Sequence, residues 1–255
     1  MTVSRTGDGR APANVDTSVA SIARVYDYAL GGKDHYEADR QTIEAVRRVA
    51  PEVPLLAVDN RAFLIRALRF LATQTDVTQY LDLGSGLPTA ENTHQVVQRL
   101  RPESRVVYVD NDPSVVAHGR ALLEDNEFTM FSPADIFDPR SVLDDPAIRS
   151  FLDFEQPIAL IQNGTLHHYD DPARSPQSIM GEYVDALPSG SFVVLAHFYD
   201  PEDEDSVLAR RMEDVFVHSP MGSGVFRTHE EIRGMLPGLE LVEPGLVICA
   251  SWWPD

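Results

Sequence analysis

The spacing of the hydrophobic residues changes near residue 78, and this change divides the chain into two parts. Before it, apolar side chains recur at helical intervals, as in "SVASIARVYDYAL" at 18–30, which is typical of helices that bury one face. After it, short β-rich runs alternate with helical stretches. Five such runs stand at 80–84, 105–110, 128–135, 157–164 and 191–198.

The helical part predicts a cap in front of the alternating part. The glycine pair at 31–32 predicts the end of a first helix. A second helix is predicted with Asp34 as its N-cap and with Pro51 and Pro54 at its end. A third is predicted from about Val58 to Thr73. The predicted divisions are a flexible tail over 1–17, a helical cap or lid over 18–77 and a ligand-binding domain over 78–255.

The alternating part predicts a doubly wound α/β fold. Most of the strand-like runs are apolar enough to be buried on both faces, which is typical of a parallel sheet covered by helices. The last two runs, "LELVE" and "LVICASWW", are joined through Pro244-Gly245 and are predicted to pair antiparallel. We therefore expect seven mostly parallel strands, with an antiparallel C-terminal strand. Four helix starts are predicted from capping side chains, at Asp112-Pro113, Asp138-Pro139, Ser175-Pro176 and Thr228 with Glu231.

The composition indicates a folded protein with one core. The 255 residues are 43% hydrophobic, which is enough to fill a domain of ordinary size. The sequence has no apolar run of about 18 residues that would span a membrane, and its first residues lack the apolar stretch of a secretory signal. Cys249 is the single cysteine, so no internal disulfide can form. We expect a cytoplasmic protein without membrane contact.

The charge balance disfavours nucleic acid as a partner. The chain has 40 Asp and Glu residues against 21 Lys and Arg residues, which gives a net charge of −19. Such a field repels a phosphate backbone. We therefore expect a small-molecule substrate.

A glycine loop follows the first strand-like run, in "YLDLGSGLPT" at 80–89. The dinucleotide fingerprint at this place is G-x-G-x-x-G, but Thr89 stands where the third glycine belongs. Pro88 removes a backbone N–H donor, and Glu91 puts a negative charge near the helix N-terminus that would receive phosphates. The loop therefore predicts a ligand without phosphate.

Acidic side chains accompany three successive strand-like runs, at Asp82, Asp110 and Asp135. Doubly wound folds bind ligands at the carboxyl ends of their strands. Asp82 is predicted to face an ammonium group, Asp110 to accept hydrogen bonds from a ribose diol, and Asp135 to accept one from an adenine amino group. S-adenosylmethionine presents these three groups in such a row.

Four motifs, "LDLGSGLPT", "VVYVDND", "PADIFD" and "LIQNGTLHHY", resemble the successive cofactor-binding motifs of class I S-adenosylmethionine-dependent methyltransferases. The chain is especially similar to one bacterial family of that class, through stretches at 21–40, 60–72, 81–96 and 244–255. The resemblance implies a Rossmann-like fold, S-adenosylmethionine as cofactor and S-adenosylhomocysteine as product. It does not name the methyl acceptor.

The same resemblance places the cofactor-binding residues at matching positions of this sequence. The glycine loop belongs with the methionine and ribose part of the cofactor. Asn111, Asp135 and Ile136 belong with the adenine, and Asn163 with Gly164 lines the cavity near the reacting methyl. The expected set is Asp82, Gly84, Gly86, Asp110, Asn111, Asp135, Ile136, Asn163 and Gly164.

Histidines after the fourth and fifth strands are the catalytic candidates. His167 and His168 follow the fourth and His197 the fifth, where a side chain can take a proton from an acceptor that needs a base. Ordinary structural roles fit these histidines equally well. Residues 199–227 are predicted to shape the acceptor pocket. The run "DPEDED" within them is more typical of a solvated helix start than of a Mg²⁺ site, so no metal is expected.

The segment "ARVYDYALGGKDHY" at 23–36 has two interpretations. It is either a helix hairpin that covers apolar surface or a lid over the cofactor. In a lid, Tyr28, like Tyr26, offers an aromatic face to the sulfonium, while Lys33 or Arg24 meets the methionine carboxylate. We take Tyr28 and Lys33 as the predicted cofactor contacts of this segment.

Two other functions fit parts of the sequence. A cofactor-binding sensor or partner protein without turnover has the same cofactor motifs. A nicotinamide-dependent oxidoreductase has a related fold, but Pro88, Thr89 and Glu91 argue against its pyrophosphate. The prediction is an S-adenosylmethionine-dependent methyltransferase that acts on a small molecule.

Overall fold

The computed structural model describes residues 15–88, 91–122 and 126–254. Thr89 and residues 1–14 of the predicted tail lie outside the described residues. The described helices are α1 (Ile22–Ala29), α2 (Glu37–Arg47), α3 (Val53–Gln74), α4 (Thr93–Leu100), α5 (Pro113–Leu122), α6 (Pro139–Leu143), α7 (Pro146–Phe151), α8 (Pro176–Ala186), α9 (Ser206–Val217) and α10 (His229–Arg233). The strands are β1 (Gln79–Leu83), β2 (Arg105–Val109), β3 (Thr129–Ser132), β4 (Ala159–Asn163) and β5 (Phe192–Ala196).

The five strands form one sheet in the order β3-β2-β1-β4-β5, and every neighbouring pair is parallel. Each of the five strand-like runs therefore holds a strand, as predicted. The strand order reverses between β1 and β4, where Asp82 pairs with Ile161. In doubly wound folds the crevice at the carboxyl ends of such strands is the usual ligand site.

The prediction of seven strands with an antiparallel C-terminal strand is wrong, because the described residues form five strands that are all parallel. The C-terminal apolar segment packs against α3 instead. The Arg66 guanidinium donates to the carbonyl oxygens of Cys249 at 2.6 Å and of Trp252 at 2.9 Å. The Trp252 ring packs edge-on against Phe63, with 5.5 Å between ring centroids. Because α3 binds these carbonyl oxygens and packs against the indole ring, the C-terminal segment is held in place by α3 and not by pairing with a strand.

All four predicted helix starts are confirmed. Asp112 Oδ1 accepts the Ser114 N–H at 2.7 Å at the start of α5. The side chains of Asp138, Ser175 and Thr228 likewise accept hydrogen bonds from the first backbone N–H groups of α6, α8 and α10. These bonds satisfy N–H groups that have no partner within the helix.

Two boundaries in the cap differ from the prediction. Asp34 does not cap α2, because this helix begins at Glu37. The N-terminus of α2 is capped by a hydrogen bond from the Tyr36 N–H to the Asp39 carboxylate at 2.7 Å. Helix α3 begins at Val53 rather than near Val58. Pro54 lies in its first turn, where the missing N–H costs nothing, so this proline belongs to α3.

The sheet has a hydrophobic core on each face. On one face α3 and α4 contribute Leu68 and Val97, which pack with Tyr80 of β1. On the other face α7 and α8 contribute Ile148 and Tyr183. This two-sided burial explains why the strand runs are apolar at nearly every position. Among the described helices, none combines the length and hydrophobicity needed to cross a bilayer.

Hydrogen bonds beside a buried ion pair of the cap fix the cap to the α/β domain. Arg24 Nε lies 2.9 Å from Asp39 Oδ2, and both side chains are almost fully buried. Arg24 also donates to Ser114 Oγ at 2.9 Å, and Ser21 Oγ donates to the Asp112 carboxylate. Helix α1 is therefore tied to the loop after β2, so it forms a fixed wall of the crevice.

Candidate functional site

A cavity of about 1210 Å³ lies at the carboxyl ends of the strands. Its walls also include α1, α3 and the connection between β5 and α10. Sites for one small molecule typically measure about 300–1,000 Å³, so this cavity has room for two ligands. The predicted residues that line it are Asp82, Gly84, Gly86, Asp110, Asn111, Asp135, Ile136, Asn163, Gly164, His167, His168 and His197.

Tyr28 and Lys33 do not line the cavity, which corrects their predicted place beside the cofactor. Tyr26 does line it, and residues two apart on a helix point about 200° away from each other. The Tyr28 hydroxyl accordingly donates to Glu44 of α2 at 3.0 Å. Lys33 lies exposed in the turn after α1, which begins with Gly31 at a φ of 77°.

The glycine loop folds back on the end of β2. Gly84 and Gly86 have φ angles of 73° and 66°, a region that favours glycine. The Gly84 N–H donates to the Val109 carbonyl oxygen at 2.7 Å, and the Gly86 N–H donates to Asp110 Oδ2 at 2.9 Å. A Cβ on Gly86 would meet nothing within 4 Å, whereas one on Gly84 would lie 2.4 Å from Thr165 Cγ2. Gly86 therefore faces open space in the cavity, and Gly84 is a packing position.

Gly84→Ala is expected to destabilise the fold by about 1–2 kcal/mol, because an L-residue at this φ is strained and its Cβ meets Thr165. Gly181→Ala is the control. Gly181 lies inside α8, and a Cβ added there would meet no atom within 4 Å. This substitution should stabilise the helix by about 0.5–1 kcal/mol. Urea unfolding followed by circular dichroism measures both changes. Equal effects of the two substitutions would contradict the packing role of Gly84.

Asp110 follows β2, and each of its carboxylate oxygens can accept one more hydrogen bond. Oδ2 accepts the Gly86 N–H and Oδ1 accepts the Asp112 N–H, each at 2.9 Å. A carboxylate oxygen can accept two hydrogen bonds, so one position on each oxygen remains for a ligand diol. Burial raises the pKa of Asp110 to about 6, although the two backbone hydrogen bonds act against this shift.

Asp82 lies buried in β1, and Thr93 Oγ1 donates to its Oδ2 at 2.6 Å. Burial raises the pKa of Asp82 to about 6, against the Thr93 hydrogen bond and the positive charge of Arg61. A cationic group of a ligand beside this carboxylate would favour its ionised form. Arg61 also lines the cavity and donates to the Glu91 carbonyl oxygen at 2.7 Å.

The turn after β3 brings Ile136 to the cavity. Asp135 Oδ1 accepts the Phe137 N–H at 2.9 Å, and the Ile136 carbonyl oxygen accepts the Tyr183 hydroxyl at 2.9 Å. Asp135 and Asn111 each stand just after their strand. Because β2 and β3 are neighbours, these residues form one end of the cavity.

Asn60 of α3 completes the site. It opens the stretch at 60–72 that resembles the methyltransferase family, but no role is predicted for it from the sequence. Its Nδ2 donates to Asn163 Oδ1 at 3.1 Å, and Asn163 Nδ2 donates back to Asn60 Oδ1 at 2.8 Å. The Tyr26 hydroxyl donates to the same Asn60 oxygen at 2.9 Å. One amide pair thus links α1, α3 and β4 at the centre of the cavity.

The three predicted histidines converge on one wall of the cavity. The His167 ring centroid lies 4.3 Å from that of His168 and 5.5 Å from that of His197. His197 Nδ1 donates to the Phe198 carbonyl oxygen at 2.7 Å, so its Nε2 is the acceptor for the Arg227 guanidinium at 2.9 Å. His168 Nδ1 lies 2.9 Å from Ser223 Oγ. His167 Nδ1 is buried with no hydrogen-bond partner in the described part of the chain.

These histidines are neutral at neutral pH. Burial lowers the pKa of His168 to about 3 and of His197 to about 4, and it holds the pKa of His167 well below its ordinary value. A base with so low a pKa takes up a proton poorly near pH 7. The wall is therefore suited to hydrogen bonding and stacking.

The polar groups of the cavity suit a ligand with cationic and hydroxyl groups better than one with phosphates. Asp82, Asp110, Asp112 and Asp135 all line it, and their negative field repels phosphate. Ser85 Oγ in the glycine loop is buried and finds no partner in the described ranges, so it is available to a ligand. Across those ranges, no group of three or more His, Cys, Asp or Glu side chains could hold a metal ion.

Known proteins are similar to this chain in fold and in sequence. A family model described as S-adenosyl methyltransferase matches residues 8–255. The crystal structure of a protein described as a candidate methyltransferase from Thermobifida fusca YX is 42% identical, with a TM-score of 0.88, over 94% of this chain and 88% of that chain. A DUF574 family protein from Streptomyces avermitilis MA-4680 is 37% identical, with a TM-score of 0.87, over 94% of this chain and 91% of that chain. A search of curated proteins found no match.

Proposed function

The chain belongs to the S-adenosyl methyltransferase family, and we propose that its methyl acceptor is a small molecule enclosed between the cap and residues 199–227. The protein is a methyltransferase with S-adenosylmethionine as its cofactor. The observation that carries the proposal is the size of the cavity, which is larger than one ligand needs and extends beyond the row of Asp82, Asp110 and Asp135 on three neighbouring strands.

The residues of the row have separate roles in holding the cofactor. We assign the ammonium group to Asp82, whose buried carboxylate favours a cation, and the ribose diol to the open positions on Asp110. The adenine belongs at the end formed by Asn111, Asp135 and Ile136. Ser85 Oγ supports this assignment, because a buried hydroxyl without a partner costs stability until a ligand satisfies it.

When bound, S-adenosylmethionine supplies a methyl group that its sulfonium already activates. The chain then has to align the acceptor and exclude water. Asn163 and Gly164, with the Asn60 amide pair, form the floor of the cavity near the histidine wall. The neutral histidines serve this alignment as hydrogen-bonding and stacking groups, and His197 in particular has both ring nitrogens engaged.

A small acceptor agrees with both the charge and the enclosure of the site. The net charge of −19 repels nucleic acid. The cap wall is fixed by the buried Arg24–Asp39 pair, which limits the room for a macromolecule. The test is incubation with methyl-labelled cofactor and a metabolite extract. Label in low-mass products supports the proposal, whereas label only in protein or nucleic acid contradicts it.

The affinity for S-adenosylhomocysteine is expected to fall as the pH drops below about 6. Burial raises the pKa of both Asp82 and Asp110 to about 6, so protonation below this pH removes the charge that the ammonium and diol groups require. The affinity should be constant above about pH 7. Below the pKa, each carboxylate that must ionise for binding should lower the affinity about tenfold per pH unit.

Calorimetric titration across this range measures the effect. His168 and His197 do not contribute to it, because burial lowers their pKa to about 3 and about 4 and keeps both rings neutral throughout. Asp82→Asn should flatten part of the pH profile. A profile that stays level from about pH 7 to about pH 5 would argue against carboxylate recognition of the cofactor.

A further inference from the structure

The side of the cavity away from the acidic row is apolar and aromatic. We call it the acceptor pocket and define it by Val25, Ile43, Phe198, Phe216, Met221 and Phe226. All six side chains line the cavity and pack into the cluster that joins the cap to residues 199–227. None of them carries a charge, whereas the opposite side holds the row of carboxylates.

The aromatic rings of the acceptor pocket stack on one another. The Phe198 ring is stacked on His167 with 3.6 Å between ring centroids and an interplanar angle of 8°. The same ring is stacked on Phe226 at 4.8 Å and lies 5.5 Å from Phe216. These contacts cover part of each ring, but the rings still line the cavity. Aromatic rings also pack edge-on or offset, so a planar aromatic ligand can extend this cluster.

One polar atom at this wall needs a partner from outside the chain. His167 is 5% exposed, it lines the cavity, and its Nδ1 has no hydrogen-bond partner in the described residues. Leaving a buried polar atom unsatisfied costs about 1–3 kcal/mol. A hydroxyl satisfies this atom in either histidine tautomer, because a hydroxyl can both donate and accept.

The charge of the ligand follows from the same surroundings. Burying an ionised group without a partner is costly, and the acceptor pocket offers no side chain of opposite charge. Arg227 lies behind the wall, but its guanidinium already donates to the carbonyl oxygens of Leu166 and Tyr169 and to His197. A charged ring is therefore excluded where a neutral one fits.

We propose that the acceptor pocket binds an uncharged aromatic compound with a hydroxyl group, and that this hydroxyl is hydrogen-bonded to Nδ1 of His167. The inference rests on the proposed function, since it names the acceptor class of the same site. The ring lies against the Phe198 side of the pocket, and the hydroxyl points toward the amide pair of Asn60 and Asn163.

The test uses the full-length protein loaded with S-adenosylhomocysteine, whose own binding is measured first by calorimetry. The loaded protein is then titrated with 2-naphthol, 2-naphthoate and naphthalene. We expect 2-naphthol to bind at least about tenfold more tightly than 2-naphthoate, a difference of about 1.4 kcal/mol, because the carboxylate is buried without a partner. It should bind about fivefold more tightly than naphthalene, which can neither donate nor accept a hydrogen bond.

His167→Phe tests the hydrogen bond while it keeps a ring stacked on Phe198. The variant should lose the preference for 2-naphthol over naphthalene. His218→Phe is the control, because His218 is exposed on the far end of α9, and it should keep the wild-type preference. Thermal unfolding checks that both variants fold. If His167→Phe does not fold, the three-ligand comparison on the wild-type protein still tests the proposal.

The outcomes separate the two proposals. If S-adenosylhomocysteine binds and 2-naphthol does not, or if 2-naphthoate binds as tightly as 2-naphthol, the inference about the acceptor class is overturned and the proposed function stands. If S-adenosylhomocysteine itself fails to bind, the proposed function fails and this inference fails with it.

Discussion

Arg24→Met is expected to lower the free energy of unfolding by about 3–5 kcal/mol. Arg24 and Asp39 are 4% and 0% exposed, and 2.9 Å separates Nε from Oδ2. Removing the guanidinium leaves the Asp39 carboxylate buried without a counter-charge among the described residues, where the backbone N–H groups of Ser21 and Tyr36 still donate to it. It also removes the donor to Ser114 on α5. Urea unfolding followed by circular dichroism measures the loss.

The next helix offers a matched control for this prediction. Arg40 and Glu37 are 2.7 Å apart but 38% and 67% exposed, and exposed pairs of this kind contribute about 0–1 kcal/mol. Arg40→Met should therefore change the stability little. The double variant Arg24→Met with Asp39→Asn should regain part of the loss, because the unpaired charge is gone. Equal losses in Arg24→Met and Arg40→Met would show that burial of the first pair has no energetic consequence.

The residue before α1 connects the cap to the glycine loop of the cofactor site. Asp112 accepts the Ser21 hydroxyl from the cap, and its own N–H donates to Asp110. The Asp110 carboxylate in turn accepts the N–H of Gly86 in the glycine loop. Three short bonds thus connect the start of α1 with the loop that faces the cofactor. Through these contacts the cap forms a wall that positions this loop, and the lid hypothesis stays a prediction.

The strand ends are the part of the site that the sequence predicts well. Buried parallel strands are apolar at nearly every position, so a carboxylate such as Asp82 stands out against its run. Parallel strands also bring their carboxyl ends to one edge, which places Asp110 and Asp135 near it without any knowledge of the helices. The position of the cavity therefore follows from the local pattern of each strand.

Features that depend on long-range contact could not be predicted in this way. Asn60 and Asn163 are 103 positions apart, and no spacing connects them. The run "LVICASWW" has the composition of a strand, but Arg66 of α3 binds its backbone and Trp252 packs on α3. Tyr28 was misplaced for a different reason, since a motif shows which residues stand together and not which face of the helix each occupies.

Asp110→Ala is expected to weaken the binding of S-adenosylhomocysteine at least about 100-fold, since hydrogen bonds to a charged group contribute about 1.5–3 kcal/mol each and we assign two of them to the ribose diol. Asp76→Ala is the control. It removes the same charge from an exposed position before β1, at the opposite edge of the sheet, and should leave the affinity unchanged. Calorimetric titration of both variants gives the comparison.

Loss of affinity in Asp110→Ala could also arise from the loop, because the carboxylate holds the N–H groups of Gly86 and Asp112. A 2′,3′-dideoxy analogue of S-adenosylhomocysteine separates the two causes in a thermodynamic cycle. The wild-type protein should prefer the natural compound about 100-fold, for the two hydrogen bonds that the analogue lacks, and Asp110→Ala should show almost no preference. If the variant keeps the wild-type preference, the diol is bound elsewhere and Asp110 only shapes the loop.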